Sequence, residues 1–407
     1  MKLGPIPPIL LYSLCCISVL TETICTVAFP RITHSMSVSG SLIQLSTTAY
    51  YFGFSLGIFT LGRLSDLYGR RIIVLLGLSF YILATLAASQ STNIQSFIFC
   101  RFLQAYGASI GSVIAQAMAR DSYQDSRLSQ IYLNTSIITS LAPTAGSLFG
   151  GYIIDYYNSW QSILISLSAI GCIALIVYYF FLPETNRYIG ADKGNNFYGV
   201  LKSTYKDKIF VGYGITVGIL NGCYVGFFVQ APFVFIEKYQ IATTTYGALF
   251  AVLSCATLLG SLIAKYMIKK YVPILKVQIA GLISIVIGCL LLIIVSLTDF
   301  VMQNVIYAII AIFGCMSMLY AGYGMIIPTI LSTCLDNYRK VLGSAGSILG
   351  ATYYIITSMI TLLISYLHSE TITNYALMCG FLLLIALPAF ISSKIAEMKE
   401  KESVISL

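Results

Sequence analysis

Twelve apolar stretches follow one another through this 407-residue chain, near 8–29, 43–62, 72–91, 95–119, 129–153, 160–182, 209–231, 243–264, 275–297, 303–331, 341–367 and 372–392. A bilayer core is crossed by about 20 apolar residues of α-helix. Inside it every backbone polar group must be satisfied internally, which leaves helices or closed barrels. Barrel strands would show about ten residues of alternating polarity, and no stretch reads that way. The pattern predicts an all-α integral membrane protein with twelve transmembrane helices. Composition agrees, at 58% hydrophobic and 9% charged, against about 45–50% and about 25% for soluble domains. The run up to Pro30 is too long for a signal-peptide core and no small-residue cleavage pattern follows, so it is expected to be an uncleaved first span.

The basic residues orient these spans. With both termini on the cytoplasmic side, all 23 Lys and Arg residues except Arg31, Lys238 and Arg101 fall in cytoplasmic segments. That is the positive-inside distribution. It assigns the +8 net charge to topology beside anionic headgroups rather than to nucleic acid. The expected location is a plasma membrane, in a bacterium the inner one. Eleven cysteines lie mostly in apolar runs without a CxxC pair and read as small buried hydrophobes. Only His34 and His368 offer imidazoles, so no zinc site is expected. Walker A, HExxH and Ser/His/Asp patterns are lacking, which argues against an ATP-driven pump, an enzyme or a bound cofactor.

The longest polar segment, 184–208, carries Gly190, Gly194, Gly199, three asparagines and several charges, and reads as a cytoplasmic linker. It splits the chain into six-helix bundles at 1–183 and 209–393, with a tail at 394–407. The halves echo each other. Gly62-x-Leu64, Tyr68 and Arg70-Arg71 in the first correspond to Gly260-x-Leu262, Tyr266 and Lys269-Lys270 in the second. Gly146, Gly150 and Gly151 in span five correspond to Gly343, Gly346 and Gly350 in span eleven. Both sets are expected to be helix-packing glycines. Two pseudo-symmetric bundles are the plan of many secondary transporters, with a substrate site between repeats near mid-membrane.

Two ionisable residues sit well inside spans, Glu22 in the first and Arg101 in the fourth. A charge at a helix centre costs about 2.5–3.5 kcal/mol on insertion scales, and such groups face a cavity or each other. The two spans run antiparallel, so both residues fall at comparable depth. Gln104, one turn from Arg101, is placed to support it. Gly107 and Gly111 beside it form a GxxxG packing surface. Candidate cavity positions are Ser18 and Thr26 with Glu22 on span one, Ser112 on span four, and Asn221, Tyr224 and Phe228 on span seven. An interhelical hydrogen bond would explain Asn221 and Tyr224 equally well.

Between spans two and three lies the stretch Gly62-Arg63-Leu64-Ser65-Asp66-Leu67-Tyr68-Gly69-Arg70-Arg71, expected to be a short, glycine-bounded cytoplasmic loop. It closely resembles the loop 2–3 signature of the major facilitator superfamily. Arg101-Phe102-Leu103-Gln104-Ala105-Tyr106-Gly107-Ala108 resembles the Arg-x-x-Gln-x-x-Gly pattern of its proton-antiporter branch. Thr21-Glu22, Phe29-Pro30, Arg120-Asp121, Pro183-Glu184-Thr185, Pro232-Phe233-Val234-Phe235-Ile236-Glu237 and Gly343-Ser344-Ala345-Gly346-Ser347 resemble the Bcr/CflA drug-resistance subfamily. The chain departs from that pattern in having Glu22 where Asp is usual. Gly146-Ser147-Leu148-Phe149-Gly150-Gly151 lacks the usual proline at the second position, and Trp160-Gln161 replaces Trp-Arg.

The resemblance implies proton-coupled export of drugs or other small, often lipophilic or cationic compounds, by a monomer. Glu22 would carry protons, with Arg101 and Gln104 tuning it. Gly62, Asp66, Gly69, Arg70 and Arg120 would form a cytoplasmic latch in which Asp66 pairs with Arg120 and docks near Leu342-Gly343. The missing proline leaves proton-coupled uptake or exchange of a metabolite on the same fold as an alternative. A non-transporting receptor on a transporter scaffold is the third.

Overall fold

The computed structural model describes residues 4–186, 197–369 and 371–405. Their order is α1 Pro8–Ile24, α2 Phe29–Met36, α3 Gly40–Tyr68, α4 Arg70–Ser89, α5 Ile94–Ala108, α6 Ile110–Ser122, α7 Asp125–Tyr157 and α8 Gln161–Phe181. These are followed by α9 Phe197–Lys206, α10 Lys208–Pro232, α11 Thr243–Lys269, α12 Ile274–Ser296, α13 Asp299–Gln303, α14 Val305–Leu335, α15 Leu342–Tyr366 and α16 Thr373–Ile405. Eleven spans among the described residues are long and apolar enough to cross a membrane. The 29-residue α3 is the twelfth, its hydropathy lowered by Ser, Thr, Tyr and Gly between Ser41 and Gly62. The linker expected at 184–208 contains α9, and its residues 187–196 lie outside the described ones. Two compact units are present, one of Met1–Asn195 with Ala231–Ala251, the other of Asn196–Gln230 with Val252–Leu407.

The stretch from Gly62 to Arg71 is not a loop. α3 runs through it to Tyr68, and the turn is the single residue Gly69, at φ 101 and ψ 147. Only glycine enters that region without a Cβ penalty. Helix persists because Ser65 returns its hydroxyl to the Gly62 carbonyl at 2.6 Å and Arg70 reaches back one turn to Asp66 at 2.5 Å. A helix end that leaves the hydrocarbon can carry charges and remain helical. The corresponding corner of the second unit has no glycine: Tyr271, at φ 59, makes the turn before Pro273 and α12.

Two spans are broken, each for a local reason. Span four divides at Ser109, between α5 and α6, where the Ala108 carbonyl accepts the Ser18 hydroxyl. Span one loosens after Cys25 into a 3-10 turn, Thr26–Ala28. There the Thr26 hydroxyl bonds the Thr23 carbonyl at 2.8 Å, and Pro30 opens the next helix.

Glycines set the closest helix approaches. A Cβ on Gly107 would lie 2.7 Å from the Gly77 carbonyl and the Tyr81 amide of α4. One on Gly111 would strike the Ser18 hydroxyl and the Leu14 carbonyl of α1. On α7, Gly146 and Gly150 face α1, with a Cβ 2.5 Å from Thr23 Oγ1 and 2.8 Å from the Ile24 carbonyl respectively. Gly151 faces the Thr243 carbonyl at 2.5 Å. The expectation for span eleven is corrected: nothing lies within 4 Å of a Cβ on Gly343 or Gly346, although Gly350 is buried. In the second unit the glycines that bring spans seven and eleven together are Gly218, Gly222 and Gly226 of α10, set against Ile356, Ile360 and Ile364 of α15. Both pairs join the first and fifth spans of a set of six. The close approach therefore recurs with the glycines on opposite partners: an i, i+4 row of small residues on either helix admits a ridge from the other.

Candidate functional site

In the first unit the membrane-buried charges lie on α1 and α5, with polar partners on α3 and α4. Arg101 is 0% exposed. Its Nη1 donates to the Gln104 carbonyl oxygen and to Cys25 Sγ at 3.5 Å. Its guanidinium carbon sits 4.5 Å from the centre of the Tyr50 ring, a cation–π arrangement worth about 2 kcal/mol when desolvated. Nε and Nη2 have no hydrogen-bond partner among the described residues. Gln104 passes the network on through its amide to Thr85 Oγ1 at 2.8 Å, and Thr85 donates to the Tyr81 carbonyl at 2.6 Å.

Glu22 is met by the neighbouring tyrosine. The Tyr51 hydroxyl donates to Glu22 Oε1. Tyr50 and Tyr51 meet edge to face at 5.7 Å, so adjacent residues of α3 bear on the two opposite charges. No ion pair within 4 Å joins Glu22 to Arg101. Thr21, next to Glu22, shares a 2.9 Å hydrogen bond with the Tyr81 hydroxyl. The result is a belt: Glu22, Tyr51, Tyr50, Arg101, Gln104, Thr85 and Tyr81, returning to Thr21. Glu22 is half-buried, whereas Arg101 is sealed.

The sequence placed Glu22, Arg101 and Gln104 in one functional set, and the structure brings them together through Tyr50 and Tyr51. Those tyrosines had gone unremarked, since two aromatics in an apolar span read as packing until a charge is found against each. Ser18 is a structural clamp: its hydroxyl holds Ala108 and its carbonyl accepts the Tyr50 hydroxyl at 3.4 Å. Thr26 is buried within its own turn. Ser112 is half-buried on α6. Asn221, Tyr224 and Phe228 lie in the second unit. Asn221 donates to Thr357 Oγ1 at 3.0 Å and accepts the Tyr323 hydroxyl at 2.8 Å. Tyr224 stacks on Tyr323 at 4.5 Å, meets Tyr320 at 4.3 Å and has Phe228 5.7 Å away. An aromatic face with one amide at its base results. Tyr320 and Tyr323, an i, i+3 pair on α14, complete it.

At the basic end of the first unit, Asp66 pairs with Arg70 and not with Arg120. Arg70 Nε also reaches Asp121 at 3.2 Å, so the residue after Arg120 is the one that joins the cluster. Glu184, 1% exposed, accepts the backbone amides of Arg70 and Arg71 at 3.0 Å each. The amide of Asn186 donates to it at 2.8 Å. Arg71 Nη2 donates to the Tyr179 carbonyl at 2.6 Å. Glu184 had been read as the start of a linker. It is an anionic cap on α4, where a helix N-terminus favours negative charge.

Residues 11–361 match the family model described as Major Facilitator Superfamily. The chain belongs to the major facilitator superfamily. It is 43% identical to an uncharacterized transporter of Rickettsia felis over 93% of each chain. It is 21% identical to a bicyclomycin resistance protein homolog of Haemophilus influenzae over 89% of each. The xylose transporter XylE from E. coli shares the fold, with a TM-score of 0.71 and 11% identity over 93% of this chain and 95% of that one. As a member of the superfamily the protein is an integral membrane transporter of small molecules rather than an enzyme.

Proposed function

We propose that this protein is a proton-coupled exporter of small lipophilic or cationic compounds, working by alternating access in the plasma membrane as a monomer with both termini cytoplasmic. The observation that carries the reading is the Glu22 carboxylate, half-buried and held by Tyr51, beside an arginine sealed behind Tyr50. Arg101 keeps a fixed positive potential near Glu22 while Glu22 gains and loses a proton, and Gln104 holds the guanidinium in place. Opposite and like charges bias such a carboxylate in opposite directions. A cationic substrate and a proton are therefore alternative ways of satisfying it. The relative named for bicyclomycin resistance supports export. So does the aromatic face of Tyr224, Tyr320 and Tyr323, which suits flat or lipophilic surfaces.

The decisive measurement is substrate-driven proton release from proteoliposomes. Glu22→Gln is expected to abolish release while leaving a folded protein; undiminished release would remove Glu22 from the coupling. In cells, dye accumulation should rise on Glu22→Gln or on adding an uncoupler, and not further when both are combined. Uptake of a metabolite is the second reading. Ser147 is the feature that favours it, standing where exporters of this branch carry proline, and substrate-driven proton movement in the opposite direction would establish it.

A further inference from the structure

We infer that Tyr51 is the positioning residue of the coupling carboxylate: its hydroxyl sets how readily Glu22 gives up its proton, while Arg101 is held on the neighbouring ring of Tyr50. The inference rests on Glu22 being the proton carrier. It adds the device by which a carboxylate and an arginine share one membrane-buried centre without neutralising each other.

The geometry has three parts. First, the Tyr51 hydroxyl is a donor to Glu22 Oε1. A hydrogen bond given to the charged form of a carboxyl stabilises that form. Once Glu22 is protonated, the same hydroxyl can rotate and accept, so contact is kept through the cycle. Second, the Arg101 guanidinium lies on the Tyr50 ring 4.5 Å from its centre and turns Nη1 toward Gln104 and Cys25. The Tyr50 hydroxyl donates to the Ser18 carbonyl at 3.4 Å. Third, the rings of Tyr50 and Tyr51 pack edge to face at 5.7 Å.

The polar and charged groups around Glu22 are few. α3 presents Tyr51 and Tyr50, α5 presents Arg101, α4 presents Tyr81 through its bond to Thr21, and α1 itself adds Cys25. Among these Tyr51 is the group with a direct hydrogen bond to the carboxylate. A closed Glu–Arg bridge would hold the proton site in one state, because breaking a buried pair leaves an uncompensated charge worth several kcal/mol. A cation–π partner and a phenol in series avoid that.

The test is the pH profile of substrate-driven proton release for wild type, Tyr51→Phe and Glu22→Gln, with the melting temperature of each variant in detergent. Tyr51→Phe keeps the ring and its packing and removes one hydroxyl. A carboxyl without its donor parts with its proton less readily, so release at neutral pH should drop several-fold and return at more alkaline pH, with the melting temperature near wild type. In the Glu22→Gln background Tyr51→Phe should add nothing. If Glu22→Gln abolishes coupling and Tyr51→Phe has the wild-type profile, Tyr51 has no positioning role. If Glu22→Gln itself leaves coupling intact, it is the transport reading that fails. A fall in rate with no displacement of the profile would also overturn the inference, since it would mark Tyr51 as structural support only.

Discussion

The Glu184 carboxylate closes the N-terminus of the helix that begins at Arg70, taking the Arg70 and Arg71 amides on its two oxygens at 3.0 Å each. The contact joins the end of span six to the start of span three, 113 residues apart. It also explains how a one-residue turn at Gly69 can hold. The first amides of a helix have no internal partner, and here a buried anion supplies one to two of them. Glu184→Ala should cost about 1–3 kcal/mol, the range for stranding buried donors. Glu184→Gln should cost less, since its single carbonyl oxygen can keep one of the two bonds. Thermal unfolding in detergent, read for both variants, orders them; equal stability with wild type would show that water replaces the cap.

Glycine positions separate into two classes. Gly111→Ala drives a methyl into the Leu14 carbonyl and the Ser18 hydroxyl, and overpacking of this kind costs about 1–3 kcal/mol. Gly346→Ala meets nothing within 4 Å and removes backbone freedom from a helix interior, which favours alanine by about 0.5–1 kcal/mol. Expression level and melting temperature should fall for the first and hold or rise for the second.

Gln278 on α12 is 0% exposed, and neither end of its amide has a partner among the described residues. Its neighbours in sequence, Val277 and Ala280, pack in an apolar cluster with Ala264 and Met325. A buried polar group without a bond costs about 1–3 kcal/mol. Gln278→Met, close in volume, should therefore raise the melting temperature. If stability instead falls, the amide is bonded through water.

Asp155, at the end of α7, caps the start of α11. It accepts the hydroxyls of Thr243 and Thr244 and the Thr244 amide at 3.1 Å. Asp155→Ala should destabilise by about 1 kcal/mol, the typical value for a lost helix cap. Asp155→Asn retains an acceptor and should lose only the helix-dipole share of it. Hydrogen exchange at the amides of 243–246 is the direct readout, with faster exchange expected in Asp155→Ala than in Asp155→Asn.

The chain itself determined the span pattern, since twenty apolar residues have few other uses. It also singled out the candidates for chemistry. Glu22 and Arg101 stand out because a membrane makes any charge expensive, so their presence alone requires a reason. Gln104 follows from Arg101 by helical spacing. Local spacing reports which residues share a face of one helix, and it stops there. It does not say which helix that face meets. That is why Asp66 was matched to Arg120 while the fold pairs it with Arg70, and why Asp121 and Glu184 had no assigned role. It is also why the glycines of the contact between spans seven and eleven were sought on α15 and are found on α10. Tyr50 and Tyr51 show the limit most clearly. As letters they are two aromatics in an apolar run. Only the packing of α3 against α1 and α5 puts one on a carboxylate and the other on a guanidinium, because the depth and rotation of each helix are set by contacts between spans that no single span encodes.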